Sequence, residues 1–125
     1  MKTIIETKNA PSAIGPYSQA VLINGMLFTS GQIAIDPTTN TLLDTDVKGE
    51  ITMVMKNLAA VLSAADMDFS NVIKSTIFLK NMDDFQEVNE VYASFFNENF
   101  PARETVQVAK LPKDVKVEIS MIASL

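Results

Sequence analysis

The chain has 125 residues, 47% of them hydrophobic and 20% charged, with a formal net charge of −5 at pH 7. That length suits one domain, residues 1–125, able to bury roughly 65–70% of its unfolded surface without disulfides or metals, and the ordinary apolar content excludes disorder. There is no His, Cys or Trp, and Arg103 is the only arginine, which excludes thiolate nucleophiles, Ser-His-Asp triads, zinc fingers and His-based metalloprotease sites.

Nine Lys and one Arg scattered along an acidic chain form no basic face for nucleic acid or an anionic membrane. The opening MKTIIETKNAP lacks the apolar core of a secretory signal, and no apolar run reaches the roughly 18 residues that cross a bilayer. Absence of Cys fits a reducing compartment. The expected location is the cytoplasm.

In chain order, residues 2–6 read as a short edge strand, followed by a loop from Asn9 to Tyr17 in which Pro11, Gly15 and Pro16 block regular structure. Residues 18–23 and 26–30 are apolar runs around Asn24-Gly25, a dipeptide that tolerates the positive φ of a type I′ hairpin turn. Residues 36–45 form a polar excursion. From Asp46 to Ala65 the period becomes helical, with Ile51, Val54, Met55, Leu58, Val61, Leu62 and Ala65 on one stripe and Thr45 or Asp46 as cap.

Residues 72–79 are rich in β-branched residues and predict a strand. Phe85, Val88, Tyr92, Phe95 and Phe96 return to helical spacing. Asp84 with Glu87, or Asp83 with Gln86, predicts a capping box at its start, and Pro101 predicts its end. Strands are expected over 104–109 and 115–122; in the latter Val115, Val117, Ile119 and Met121 alternate with Lys116, Glu118 and Ser120. The order predicts an α+β fold, one mixed sheet with two helices packed on one face. The other face then needs a partner or must be polar; the apolar content points to a partner, and oligomerisation is expected on burial grounds.

Candidate functional residues are few. Arg103 lies between a helix end and a strand start, and a guanidinium fork matches a carboxylate bidentately; the structural alternative is a surface pair with Glu104 or Asp114. Glu118 is a mid-strand glutamate on the polar face, either a general acid/base or a solvated neighbour of Lys116. Tyr17 presents a hydroxyl to a ligand or anchors its loop. At Ser30-Gly31 the glycine permits close backbone approach, or simply makes a turn. Asn89 is a mid-helix amide, mildly unfavourable there, otherwise a solvated helix residue. The seven Met read as core filler. No phosphate-binding glycine motif and no calcium loop occurs.

Five blocks resemble one family in order and spacing. They are Ala13-Ile14-Gly15-Pro16-Tyr17-Ser18-Gln19-Ala20, Ser30-Gly31-Gln32, Asn89-Glu90-Val91-Tyr92, Phe100-Pro101-Ala102-Arg103, and Leu111-Pro112-Lys113-Asp114-Val115-Lys116-Val117-Glu118-Ile119. Over its whole length the chain resembles the reactive intermediate deaminases of the RidA type, the YjgF/YER/UK family. The resemblance implies a chorismate-mutase-like sandwich assembled as a homotrimer, with sheets at the centre and active sites between subunits. It implies hydrolysis of 2-aminoacrylate- and 2-aminocrotonate-derived 2-imino acids, released by pyridoxal-phosphate enzymes, to 2-keto acids and ammonia without a cofactor or metal.

Carried over by position, Arg103 would hold the substrate carboxylate and Glu118 would position or activate water. Tyr17 would line the site from a neighbouring subunit. Ser30 and Gly31 would contribute pocket-wall contacts, and Asn89 would hydrogen-bond near the ligand. The chain departs from the family pattern at Glu104 and Thr105, where many members carry Ser or Ala and then Cys. Thr105 keeps a hydroxyl near the pocket but has no thiol chemistry, and strand alternation predicts that Glu104 points away from whatever Thr105 faces.

Two other readings differ in kind. One is a non-catalytic sensor of small carboxylates, such as 2-keto acids, or a partner-binding protein using the same clefts. The other is a ribonuclease, against which the acidic charge and single Arg weigh.

Overall fold

The computed structural model describes all 125 residues. Strand β1 (Thr3–Ile5) pairs antiparallel with β2 (Ala20–Ile23), and β2 with β3 (Met26–Thr29). Asn24 at φ 51° and Gly25 at φ 75° make the expected hairpin turn, both in the left-handed region that such a turn requires. The polar excursion contains a two-residue ladder, β4 (Ile35–Asp36) with β5 (Thr41–Leu42), separate from the main sheet.

Helix α1 (Val47–Ala64) starts where Asp46 accepts the Gly49 N–H at 2.9 Å, one of the expected caps. Its stripe of Ile51, Val54, Met55, Leu58, Val61 and Leu62 is fully buried. Strand β6 (Val72–Leu79) forms over the predicted residues. Helix α2 (Phe85–Ser94) differs at both ends. Asp84 makes no side-chain cap; instead Asn81 accepts from the Asp83 N–H and closes a 3-10 turn ahead of the helix. The helix also stops at Ser94, well before Pro101, as Phe95 and Phe96 turn to stack on Phe69 with ring centroids 5.7 and 5.4 Å away.

Strand β7 (Ala102–Gln107) begins two residues earlier than expected, because parallel pairing with β6 recruits Ala102 and Arg103. Strand β8 (Val117–Ser124) is likewise shifted toward the C-terminus. The main sheet has the order β1-β2-β3-β8-β6-β7. The paired residues Ala20, Leu27, Ala123, Met121, Ile119, Val117, Ile77 and Leu79 face the helices and are buried.

The opposite face carries Ile4, Val21, Phe28, Ile122, Phe78 and Val106 by register. Ile4, Phe28 and Val106 remain 49%, 44% and 42% exposed. A single chain therefore leaves apolar side chains of this face uncovered, beside Lys74, Thr76, Glu104, Glu118 and Ser120, which the same register places there. No helix is long and apolar enough to cross a membrane.

Candidate active site

Arg103 is the second residue of the edge strand β7 and pairs in register with Ser75. Ser75 is buried on the helix side of the sheet, so Arg103 projects to that side, toward α2. Its Nη1 donates to Asn89 Oδ1 at 2.5 Å. The guanidinium lies 5.3 Å from the Tyr92 ring centroid and 5.6 Å from that of Phe85, within the range of cation–π attraction. Tyr92 is fixed by its hydroxyl, 2.8 Å from Ser75 Oγ in the core.

No carboxylate claims the guanidinium. Glu104 pairs with Lys74 at 2.7 Å and Asp114 with Lys80 at 3.0 Å. Hydrogen bonding from Lys74, reinforced by its charge, lowers the Glu104 pKa. Glu104 points away from Thr105, as alternation predicts: it pairs in register with Thr76, whereas Thr105 pairs with buried Ile77. Thr105 Oγ1 is buried without a partner. Around Arg103 a cavity of about 370 Å³ is lined by Asn89, Tyr92, Phe100 and Pro101. A positioned, unneutralised guanidinium in a small cavity is suited to receiving an anion.

Glu118 lies on the other face. It pairs with Phe78 in β8·β6 and shares a cavity of about 560 Å³ with Tyr17, Ser30, Gly31 and Lys113. Ser30 is held at both ends, by its N–H to Gln19 O at 2.9 Å and its Oγ to Ser18 O at 2.6 Å. At Gly31 a Cβ would stand 2.8 Å from Glu118 Cδ and 3.0 Å from Oε2. The glycine thus leaves room for the end of the Glu118 side chain in its present position, which a Cβ would displace. Glu118 has no lysine partner, since Lys116 is drawn to Glu50 at 3.3 Å. Burial pushes its pKa upward, with no opposing charge contribution. A carboxylate so placed binds a proton more readily than a solvated glutamate and serves better as a base near neutrality.

The sequence candidates therefore fall into two groups. Arg103, Asn89 and Thr105 stand on the helix side at the β7 edge. Glu118, Tyr17, Ser30 and Gly31 line the other cavity. Two strand spacings and a three-residue offset put the Arg103 and Glu118 Cα atoms about 14 Å apart, with their side chains on opposite faces. No chain brings both groups to one small molecule by itself. No cluster of three or more acidic side chains forms a metal site.

Sequence reading overlooked the aromatic support of Arg103. Its signal is spacing: Phe85, Asn89 and Tyr92 lie four and three residues apart on one stripe of α2. Lys113, at φ 54° in the turn before β8, was likewise not placed in the Glu118 cavity.

Residues 7–125 match the family described as Endoribonuclease L-PSP, and the chain belongs to that family, whose relatives include the RutC and Rid proteins. A RutC family protein of Pyrococcus horikoshii is 50% identical over 98% of both chains. The human protein named 2-iminobutanoate/2-iminopropanoate deaminase is 46% identical over 98% of this chain and 90% of its own. Among solved structures, a Rid family protein from Yersinia pestis superposes with a TM-score of 0.98 at 48% identity, covering 100% of both chains.

Proposed function

We propose that this chain is a cytoplasmic 2-imino acid deaminase, working as a homotrimer whose sites lie between subunits. The observation that carries the reading is a pair of poised, unsatisfied groups. Arg103 is fixed by Asn89 and Tyr92 yet has no carboxylate partner; Glu118 is half-buried and unpaired beside Gly31. The uncovered apolar side chains of the sheet support assembly, and a second copy would bring the Glu118 cavity of one chain to the Arg103 cavity of the next. The trimeric number rests on the family resemblance. The human relative's name supports the substrate class.

The chemistry follows from the groups. The Arg103 fork grips the substrate carboxylate and fixes the adjacent C=N carbon. An enamine first tautomerises to the imine. Ionised Glu118 takes a proton from water as its oxygen bonds to that carbon, and the electron pair of the C=N bond moves to nitrogen. The proton passes from Glu118 to the nitrogen. Glu118 next takes the hydroxyl proton of the tetrahedral intermediate and delivers it to the amine; as the C=O bond forms the C–N bond breaks, releasing a 2-keto acid and ammonia. The electrophilic carbon needs no covalent nucleophile from the protein. The test is release of 2-ketobutyrate from freshly generated 2-iminobutyrate: wild type accelerates it, and Arg103→Ala matches the buffer blank. No acceleration by wild type contradicts the reading.

A second reading, carboxylate binding without turnover, is favoured by one observation. Escherichia coli TdcF, 44% identical over 98% of both chains with a TM-score of 0.94, has been solved with bound serine. Calorimetric 2-ketobutyrate binding by a chain inactive on every imine would support it. The family description notwithstanding, RNA cleavage has no support from a chain with net charge −5 and one arginine.

A further inference from the structure

Asn57 is a buried polar residue to which the proposed chemistry assigns no part. It lies on α1 amid the apolar stripe and is 1% exposed. Burying an amide is unfavourable unless its hydrogen bonds are made. Its Nδ2 donates to Ile33 O at 3.3 Å and Ile35 O at 2.9 Å. Both isoleucines line the Glu118 cavity. Between β3 and β4 the chain runs irregularly from Ser30 to Ala34, attached to β8 only by the reciprocal Gln32–Ile119 backbone pair at 2.8 and 3.1 Å. The Ile33 carbonyl also accepts the Ile35 N–H at 2.8 Å, so the segment bends sharply where Asn57 holds it.

This segment contains Gly31, where the space a Cβ would need is taken by the end of the Glu118 side chain, 2.8 Å from Cδ. A displacement of a few tenths of an ångström there releases or crowds the carboxylate. We propose that Asn57 is a positioning residue: it clamps the 30–35 segment so that Gly31 fixes the Glu118 carboxylate. The inference rests on the deaminase reading for its kinetic consequence, while the geometric consequence stands apart from it. None of the residues lining the Arg103 cavity is held by Asn57, so substrate grip and carboxylate placement separate.

The variants are Asn57→Ala and the milder Asn57→Ser, with Val54→Ala, equally buried on α1, as the comparison for general loss of packing. On 2-iminobutyrate the Asn57 variants should lose about tenfold to a hundredfold in kcat, with KM and 2-ketobutyrate affinity within about twofold of wild type. Val54→Ala should lower the melting temperature and leave kcat unchanged. Crystal structures of the Asn57 variants should show the 30–35 carbonyls and the Glu118 carboxylate displaced. An unmoved carboxylate in either variant, or a kcat loss no larger than that of Val54→Ala, overturns the proposal. If wild type turns over no imine, the deaminase reading fails, and the crystallographic comparison still decides the role of Asn57.

Discussion

Arg103 and Glu118 point to opposite faces of one sheet, two strands apart in the order β8-β6-β7. In a 2-imino acid the carboxylate and the reacting carbon are directly bonded. The two groups therefore meet one substrate only if they come from different chains.

The first prediction separates charge from shape at Arg103. Arg103→Lys keeps a cation but loses the planar fork and the Asn89 bond geometry. It should raise KM by about tenfold or more, while Arg103→Ala should abolish measurable turnover, in steady-state assays on 2-iminobutyrate. Equal KM for Lys and Arg would show that bidentate recognition is not used.

Gly31→Ala should impair activity more than folding. The new methyl meets the end of the Glu118 side chain, 2.8 Å from Cδ, and that end can swing away. Turnover should fall about tenfold or more as the carboxylate leaves its place. The melting temperature should change little. A fully active Gly31→Ala enzyme would contradict the close-contact argument.

The raised pKa of Glu118 has two signs to check. As a base the group must be ionised, so activity should fall with decreasing pH through a value above the ordinary glutamate range. For stability the folded chain keeps this proton over a window in which the unfolded chain has lost it, so this group's contribution declines as pH rises through that window. Glu118→Gln should therefore be inactive yet more stable than wild type at pH 7. The stability difference should vanish below the ordinary glutamate pKa. Melting curves against pH test both ends; a less stable Gln variant at pH 7 would contradict the burial argument.

Tyr92 combines two roles that substitution separates. Tyr92→Phe removes the hydroxyl bonded to buried Ser75 but keeps the ring beside Arg103. It should cost about 1–3 kcal/mol by chemical denaturation and leave KM near wild type. Tyr92→Leu should raise KM in addition, by loss of the cation–π contact. An unchanged KM in the leucine variant would remove Tyr92 from the Arg103 support.

Local signals were legible where the residues themselves carried them. The Asn24-Gly25 hairpin, the stripe of α1 and the β-branched run of β6 all formed where periodicity and turn chemistry put them. Errors arose where distant partners decide. Ala102 and Arg103 look like loop residues until β6 pairs with them. The end of α2 depends on Phe69, sixteen residues before the helix begins. At the site, the residue types suited to the chemistry were visible, but their division between two faces was not. That division follows from register, and alternation within β8 alone says nothing of where β7 sits. Buried Gln19, Glu50 and Asn57 also carry no local mark, because their partners, mostly backbone atoms and for Glu50 also the Lys116 ammonium, lie eight or more residues away along the chain.

The central claim, a site shared between chains, is tested most directly by mixing two dead variants. Arg103→Ala still supplies Glu118, and Glu118→Ala still supplies Arg103. In a cyclic trimer unfolded and reassembled from equal amounts, about a quarter of the intersubunit sites pair an intact arginine with an intact glutamate. Turnover of 2-iminobutyrate should therefore recover to about a quarter of wild type, although each variant alone is inactive. A mixture as inactive as its components, with mixed trimers confirmed by native mass spectrometry, would contradict the account.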